Sequence, residues 1–493
     1  MSKLSPPRRA PAPTAFGLLM LPGLVVALGL AIVWVAQLDN GPLAAYSIVN
    51  IGLCLVGVFF SFVNGFRPVA MAFYVFVLAW LGIAPVYQLT TGILVWGDRV
   101  DNHSSEHIQF ALTLTTLFVV FFSTGYAFAF SSRGRSRSTI VRRAYLGVLL
   151  VVTVALAVVA VARAGGPAVM FSSRSQRLEN VLSDGLAEGG VNAALTRVAP
   201  VAFAVAFALL AIHALRCAGG WREAPLRNRA MLLLAIGIAI LVANPFSNSR
   251  FIGAVAWGSI ALALCMPRSQ RAGAWIAVLG LVGVLVFYPL ANAFRSADGE
   301  ARTGVDAFSS GDFDGFQQIV NTIALVEGQG HSGGRYLISA VGFFVPRSLW
   351  PAKAQPAAFE VSQSAGYWFN NLSLPFHAEI YLEFGLIGVI IASVALGAIA
   401  RRSDDAWIRA DGSRWFVVAP LLAISMLGIM RGPVGSLIPI YGTAIVVLLL
   451  GVKSVQEATG RMPYLTARSG SRQYDPSSLS ASAGENLRRP PAG

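Results

Sequence analysis

Apolar runs long enough to cross a bilayer recur along this chain and constrain its fold more than any other feature. The hydrocarbon core of a bilayer is about 30 Å thick, and a helix of about 20 apolar residues spans it. Backbone polar groups in hydrocarbon must be satisfied within their own segment, so each run is predicted to be a helix. The predicted segments are Ala15–Gln37, Leu43–Val63, Val69–Thr90, Ile108–Phe130, Ala144–Ala162, Val198–Leu215, Ala230–Ala243, Phe251–Met266, Ala274–Ala291, His377–Ala400, Trp415–Met430 and Leu437–Val452.

The composition excludes several other classes of protein. Only 12% of the 493 residues are charged, whereas soluble domains carry about 25%. This excludes a soluble enzyme, a disordered chain and a coiled coil. The three cysteines lie in or beside apolar runs and indicate neither a disulfide framework nor a Cys-based metal site. We therefore predict an all-α integral membrane protein with about 12 transmembrane helices.

The distribution of charge predicts the orientation. With the N-terminus placed inside, the inner segments hold 25 of the 37 Lys and Arg residues but only 7 of the 23 acidic residues. Cytoplasmic loops of membrane proteins carry an excess of Lys and Arg. We therefore predict a multi-pass protein of the cytoplasmic (inner) membrane with both termini cytoplasmic. The excess positive charge is explained by topology and by attraction to anionic membrane lipid, so no nucleic-acid partner is implied.

Segments outside the apolar runs divide the chain further. Residues 1–14 and 453–493 are rich in Ser, Pro, Gly and Arg and are predicted to be disordered tails around a membrane domain at 15–452.

Two outer loops are long, at about 163–197 and 295–376. Within the second loop, Phe313–Glu327 has the spacing of an amphipathic helix in the membrane interface. Tyr336–Val345 is too short to span, which predicts a re-entrant or interfacial element over an outward cavity.

Two pairs of predicted helices are short and turn at an arginine on the outer side. Ala230–Ala243 and Phe251–Met266 are joined through Arg250, and Arg431 occupies the corresponding turn of the last pair. An arginine within the depth of the outer leaflet is costly unless it is paired or lines a wet cavity, so both are candidate functional residues. The alternative is a snorkelling guanidinium at the level of the lipid headgroups.

Further cations are concentrated on the predicted outer side. Guanidinium groups bind diphosphates through two parallel hydrogen bonds, so a cluster of them can bind this group without a metal. The alternative is that they pair with outer acids or with lipid phosphates. The outer candidates are Arg174, Arg177, Arg295, Arg302, Arg335, Arg347 and Lys353.

Two carboxylates open the tenth predicted helix. Glu379 and Glu383 are four residues apart and therefore share one helix face. A carboxylate in this position can act as general base on a sugar hydroxyl, and His377 is a second candidate base. The alternative for the glutamates is stabilisation of the helix dipole, which explains Glu379 more easily than Glu383.

Signatures of cofactor binding are missing from the sequence. There is no Walker A motif, no Rossmann glycine pattern, and no set of His, Asp and Glu at metal-ligand spacing. Asp312 and Asp314 lie in a Gly/Ser-rich turn, where two acids are usually solvated. We therefore predict neither a metal nor a cofactor.

Several motifs resemble those of the bacterial oligosaccharide repeat-unit polymerases, the O-antigen polymerase (Wzy) family. The resemblance is most specific between Phe343 and Gly388 and covers roughly Ala15–Val452 in topology. The motifs are Phe343-Phe-Val-Pro-Arg347-Ser-Leu-Trp350-Pro-Ala-Lys353, Asn370-Asn-Leu-Ser373, Glu379-Ile-Tyr-Leu-Glu-Phe-Gly385-Leu-Ile-Gly388, Gly82-Ile-Ala-Pro85, Phe171-Ser-Ser-Arg174 and Asn244-Pro-Phe-Ser-Asn-Ser-Arg250.

The resemblance implies a metal-independent glycosyltransferase with a GT-C-like architecture, which joins undecaprenyl-diphosphate-linked oligosaccharides on the outer face of the membrane. The lipid-linked oligosaccharide would be both donor and acceptor, and a flippase and a chain-length regulator are candidate partners. The residues that match the family's motifs are Arg174, Arg250, Arg347 and Glu379. Glu383 departs from the pattern, since many members have an uncharged polar residue there.

Roles for other outer residues follow from the same interpretation. Arg431 would help to neutralise the diphosphate, and Tyr367, Trp368 and Trp350 would stack on sugar faces or anchor the interface. A glycan ligase would share this chemistry with a different acceptor. A flippase or transporter of the lipid-linked unit would need charges along the whole bilayer.

Overall fold

The computed structural model describes residues 15–38, 41–63, 65–129, 139–172, 198–244, 248, 250–283, 304–369 and 372–454. Helices dominate these ranges, and strands β1 (Thr139–Val141) and β2 (Val452–Ser454) pair antiparallel. The helices are α1 (Ala15–Val35), α2 (Gly41–Val63), α3 (Pro68–Thr91), α4 (Ser105–Phe128), α5 (Arg143–Arg163), α6 (Ala199–Cys217), α7 (Leu226–Val242), α8 (Arg250–Cys265), α9 (Gln270–Val282), α10 (Gly315–Gln329), α11 (Arg335–Val341), α12 (Ala357–Ser364), α13 (Phe376–Arg409), α14 (Arg414–Arg431) and α15 (Val434–Gly451).

Eight of these helices are long and apolar enough to cross a membrane, namely α2, α3, α4, α5, α6, α13, α14 and α15. The prediction of an all-α membrane protein is therefore confirmed. Each of the twelve predicted segments contains a helix, but α1, α7, α8 and α9 fall outside the set of eight. The last predicted pair is longer than expected, because α14 and α15 each have 18 residues.

Contacts between loops divide the bundle into two ends. At one end, Trp407 Nε1 donates to Pro267 O at 2.8 Å and Thr139 N donates to Gly412 O at 2.9 Å. We call this the basic end, formed by residues 65–67, 139–141, 266–269, 404–413 and 452–454. The acidic end holds residues 92–104, 304–369, 372–375 and 431–434, where Leu374 N donates to Arg431 O at 2.8 Å. This grouping agrees with the alternation of loops predicted from the sequence, in which the basic end is the cytoplasmic one.

The core consists of two large clusters of buried side chains and a smaller third one, and α13 and α14 both contribute to the two large clusters. Ala423, Met426 and Met430 of α14 belong to the cluster with α3, α4, α10 and α13. Val417 and Leu421, nearer the start of α14, belong to the cluster with α5, α6, α7, α8 and α15. Helices α13 and α14 therefore join the two halves of the bundle, and α14 ends at Arg431 in the acidic end.

Helices α4 and α13 approach each other through two glycines. A Cβ atom at Gly125 would overlap the carbonyl oxygen of Val394, and one at Gly397 would overlap that of Phe122. Small residues at such contacts let helix backbones come close, which is how membrane helices gain packing energy without a hydrophobic driving force. The close contact fixes α13, and with it the glutamates near its start.

A buried ionic cluster fastens the basic end. Asp404 accepts hydrogen bonds from Val69 N at 2.8 Å and Ala70 N at 3.0 Å, which caps the start of α3. Asp405 pairs with Arg67 at 3.2 Å and with Arg401 at 3.0 Å. The predicted span His377–Ala400 therefore ends too early, because the helix continues to Arg409 and its last turns carry these acids.

Helix α13 is broken at Gly385, which has φ +67° and ψ −162°. This backbone conformation is essentially restricted to glycine. The break takes the carbonyls of Leu382 and Glu383 out of the helical hydrogen-bond pattern. Ser332 N donates to the first carbonyl at 2.9 Å and Gly333 N to the second at 3.0 Å. The loop before α11 is thereby held against the break.

The segment predicted as an interfacial amphipathic helix is instead buried. Helix α10 has its residues from Gly315 to Ile323 buried, including the polar Gln317, Gln318 and Asn321. The prediction of a helix was correct, but its placement in the membrane interface was wrong, because other parts of the acidic end cover its polar face. The predicted short element at Tyr336–Val345 overlaps the seven-residue helix α11, which begins one residue earlier at Arg335.

The contact between α4 and α13 leads to a stability prediction. We expect Gly397→Leu to lower the free energy of unfolding by about 1–3 kcal/mol or more, because overpacking forces neighbouring atoms to move. Thermal unfolding of the purified protein in detergent measures the effect. The matched control is Gly147→Leu in α5, where a Cβ atom has no neighbour within 4 Å. Equal unfolding temperatures for the two variants would contradict the role of the close contact.

Candidate functional site

Glu379 lies in the first turn of α13 and is 2% exposed. Its Oε2 atom accepts a hydrogen bond of 2.6 Å from Val434 N, at the start of α15. Its Oε1 atom has no hydrogen-bond partner among the described residues. Buried polar atoms almost always have a partner, so an exception is a candidate for function. Glu379 is therefore held firmly by one oxygen and has the other available as an acceptor.

Glu383 has a different environment one turn later. Its Oε2 atom accepts from Ser332 Oγ at 2.6 Å, and its Oε1 atom accepts from Leu337 N at 2.6 Å. Both oxygens therefore hold the loop and first turn of α11. This arrangement assigns Glu383 to the support of this loop and helix.

Arg431, the last residue of α14, forms an ion pair with Asp312. Its Nη2 atom is 2.8 Å from Asp312 Oδ1, and the side chains are 26% and 9% exposed. Arg431 lies three residues before Val434, the backbone anchor of Glu379. The 431–434 turn thus connects the cation of this pair to the candidate base.

Asp314 is fully buried and accepts hydrogen bonds from Trp96 Nε1 at 3.0 Å and Ser373 N at 3.3 Å. Burial raises the pKa of its carboxyl, while Ser373, Arg431 and Trp96 oppose the rise. The prediction that Asp312 and Asp314 are solvated was therefore wrong. Trp80 and Phe313 stack beside them, and Trp80 Nε1 donates to Asp312 O at 2.7 Å.

The described residues contain no group of three or more His, Cys, Asp and Glu side chains that could hold a metal ion. The two aspartates of this turn bond to an arginine, to indole N–H groups and to backbone. Asp312 is held in an ion pair, and Asp314 is held in a hydrogen-bond network.

Tyr367 is the centre of a polar network over α10. Its hydroxyl accepts from Gln317 Nε2 at 2.7 Å and from Asn321 Nδ2 at 3.1 Å, and it donates to Asp98 Oδ2 at 3.1 Å. Burial raises the pKa of Tyr367 to about 12. The network satisfies the polar face of α10 and joins it to the loop after α3. Its ring stacks on Phe369.

Arg347 and Lys353 hold together the turn that follows α11. Arg347 donates to Lys353 O at 2.5 Å and Ala354 O at 3.3 Å, and Lys353 Nζ donates to Phe343 O at 2.8 Å and Val345 O at 3.0 Å. Burial and the nearby Arg347 lower the pKa of Lys353. The ring of Trp350 packs against Gly342 in the same turn. Both cations remain at the acidic end, where an anionic ligand could compete for them.

His377 is buried against α4. Its ring stacks on Phe118 with centroids 4.6 Å apart, and its Nε2 atom is 3.4 Å from Thr115 Oγ1. Its Nδ1 atom, like Oε1 of Glu379, has no hydrogen-bond partner among the described residues. The structure brings the start of α13 to the turn between α14 and α15, through Glu379 and Val434 N and through Leu374 N and Arg431 O.

Arg335 pairs with Glu360 at 2.6 Å, and Trp368 is exposed. Other predicted residues cannot be placed. Arg174, Arg177, Arg295 and Arg302 lie outside the described residues, and so do Asn370 and Asn371. The backbone of Arg250 begins α8, but its side chain is not described.

Sequence reasoning missed Asp98 and Gln317 and took Asp312 and Asp314 for solvated acids. The bulky apolar residues around the two aspartates, above all Phe313, were the one local signal of burial. No local signal marked Asp98, because its partners come from distant parts of the chain.

No family model, curated protein or solved structure matches this chain. The resemblance to the repeat-unit polymerases is therefore a prediction from its motifs, and the site's own geometry carries the functional argument.

The Arg431–Asp312 pair can be tested with a double-mutant cycle. We expect Arg431→Ala and Asp312→Ala to be coupled by about 1–3 kcal/mol in the free energy of unfolding, because each change leaves a poorly solvated charge without its partner. The control is the Arg99–Asp101 pair, whose side chains are 71% and 80% exposed. Exposed pairs contribute less than about 1 kcal/mol. Equal coupling in both cycles would contradict the structural importance of the Arg431–Asp312 pair.

Proposed function

We propose that this protein polymerises undecaprenyl-diphosphate-linked oligosaccharide repeat units at the outer face of the cytoplasmic membrane. It would be a metal-independent glycosyltransferase of the GT-C-like kind, acting on a surface polysaccharide such as O-antigen, capsule or exopolysaccharide. The observation that carries the proposal is the environment of Glu379. One buried carboxylate oxygen is anchored on Val434 N, while the other has no described hydrogen-bond partner.

The proposed reaction uses this carboxylate as a general base. A sugar hydroxyl of one lipid-linked unit attacks the anomeric carbon of the other unit, and its proton passes to Glu379. The bond from that carbon to the diphosphate breaks, and the lipid diphosphate leaves with the bonding electrons. Arginine side chains would stabilise the developing negative charge, and Arg431 is nearest along the chain to the anchor of Glu379. Arg250, Arg347 and Arg174 are the further candidates from the motifs.

The distribution of charge favours a transferase over a transporter. In the eight spanning helices, every Asp, Glu, Lys and Arg lies within nine residues of a helix end. A transporter of a charged lipid-linked sugar would need polar or charged groups along the path through the bilayer. The charged groups near Glu379 are instead confined to the acidic end. A glycan ligase, which transfers finished glycan to another acceptor, remains the second candidate because its chemistry is the same.

Deletion of the gene tests the proposed reaction directly. We expect the surface glycan to appear on a gel as a single repeat unit attached to its normal acceptor, with the ladder of longer chains lost. Long lipid-linked polymer that fails to attach would instead identify a ligase. Repeat units retained on the cytoplasmic leaflet would identify a flippase, and either result would overturn the proposal.

Site variants in the deletion strain test the assigned residues. We expect Glu379→Gln to lower polymer formation at least 100-fold, since general-base catalysis contributes about 10²–10⁴-fold. Arg250→Ala is also expected to abolish the ladder. The ladder on a gel is the measurement, and immunoblots of membranes check that each variant inserts.

Matched controls separate loss of chemistry from loss of structure. Glu383→Gln alters a carboxylate on the same helix face, but we expect it to retain polymer and to lose stability. Arg99→Ala removes an exposed arginine of the acidic end and is expected to retain polymer. A normal ladder from Glu379→Gln would refute its role as base, and a lost ladder from Arg99→Ala would show that any change of charge at this end is harmful.

A further inference from the structure

Two apolar cavities lie between the helices on the side of the bundle away from the catalytic candidates. The larger lies between α1, α2, α3 and α9 and has a volume of about 260 Å³, and the smaller lies between α3, α8, α9 and α14 and has a volume of about 140 Å³. Every lining residue of both cavities is apolar, and Val75 of α3 lines both. Their occupants should therefore be hydrocarbon chains.

Both cavities extend to the basic end. Phe62 lines the larger cavity and Phe66 the smaller one. Helix α9 meets both rings at Gly273, where a Cβ atom would be 2.9 Å from Phe62 Cβ and 3.0 Å from Phe66 Cδ2. Phe66 N also donates to Arg268 O at 3.1 Å, which joins the turn before α3 to the turn before α9. The line of contact between α9 and these two phenylalanines therefore separates the two cavities, and it begins at these two turns. We call this line of contact the seam.

Two exposed arginines lie at the start of this seam. Arg268 and Arg271 are within five residues of Gly273, and neither forms an ion pair among the described residues. Arg67, in the adjacent turn, is instead paired with Asp405. Trp275 follows Arg271 by one helical turn and is 67% exposed. Exposed tryptophans of membrane proteins concentrate at the level of the lipid headgroups, which places these cations beside phosphate groups.

We propose that the basic end binds an anionic diacyl phospholipid. The phosphate contacts Arg268 and Arg271, and one acyl chain enters each cavity on either side of the seam. A lipid with two chains on one glycerol matches two cavities with a common mouth, whereas a single polyprenyl chain would fill only one. The site is at the opposite end from Glu379, so it is separate from the proposed chemistry.

Native mass spectrometry of the purified protein, titrated with phosphatidylglycerol, tests the headgroup contacts. We expect Arg268→Gln with Arg271→Gln to weaken retention of this lipid by about fivefold per arginine, the value expected for cations at a membrane surface. The control removes the same charge through Arg222→Gln with Arg227→Gln, two exposed positions away from the cavities. These positions follow Cys217, whose Sγ atom contacts Thr139 O of the basic end. Equal losses from both double variants would overturn the proposal in favour of unspecific attraction.

The acyl contacts are tested by filling the cavities. Gly23 lines the larger cavity and Gly280 the smaller, and a Cβ atom at either position has no neighbour within 4 Å. We expect Gly23→Leu with Gly280→Leu to fold normally and to lose retention of phosphatidylglycerol at least tenfold. Gly237→Leu, at an exposed and equally open position in α7, should leave retention unchanged.

Competition with a second lipid distinguishes the two possible sources of phosphate and hydrocarbon. Undecaprenyl phosphate at equal concentration should not displace phosphatidylglycerol from the wild-type protein. Displacement would assign the cavities to the carrier lipid and overturn the proposal. Unchanged retention in the cavity-filling variant would overturn it as well.

Discussion

The arrangement of the acidic end depends on the break in α13 at Gly385. An unbroken helix would use the carbonyls of Leu382 and Glu383 in its own hydrogen bonds and leave them less accessible to another segment. The break makes both carbonyls available to Ser332 N and Gly333 N. The nine residues of α13 before Gly385 thereby form a short helical support of their own. This support binds α11 through Glu383 and the start of α15 through Glu379. Only glycine readily adopts this conformation, so the site rests on one residue with no side chain.

Most polar groups around this support are satisfied by other protein groups. Asp98, Gln317 and Tyr367 bond to one another, and Asp312 bonds to Arg431. Such networks stabilise a unique arrangement only when their members are satisfied, because an unpaired buried polar atom costs about 1–3 kcal/mol. The Oε1 atom of Glu379 is one of several buried polar atoms without a described hydrogen-bond partner, and Asp314 Oδ1 and His377 Nδ1 are others in the same region. Such exceptions are expected at functional sites, and the one at Glu379 belongs to a carboxylate whose other oxygen is anchored on Val434 N.

The helices could be predicted from the sequence because hydrophobicity is a local property of each segment. All twelve apolar runs contain a helix, and the errors were at the ends, as for α13, which continues to Arg409. The burial of α10 could not be predicted, because its polar face is covered by Asp98 and Tyr367, which are far away in the sequence. Periodicity shows that a helix has two faces but not what covers each face. The different roles of Glu379 and Glu383 could not be predicted from the sequence either, since their partners lie on α15 and α11.

The ion pair of Arg431 bears on how the proposed site would handle a diphosphate. A guanidinium has five N–H donors in a planar fork, so it can bind a carboxylate oxygen and phosphate oxygens together. Asp312 would then orient the arginine, and the leaving diphosphate would supply further acceptors as its negative charge develops. The carboxylate also limits the net positive charge of the empty site, which lowers the cost of keeping an arginine partly buried. Arg431 therefore suits a role in stabilising charge that forms during the reaction, while Glu379, without a cationic partner in any described ion pair, suits the acceptance of a proton.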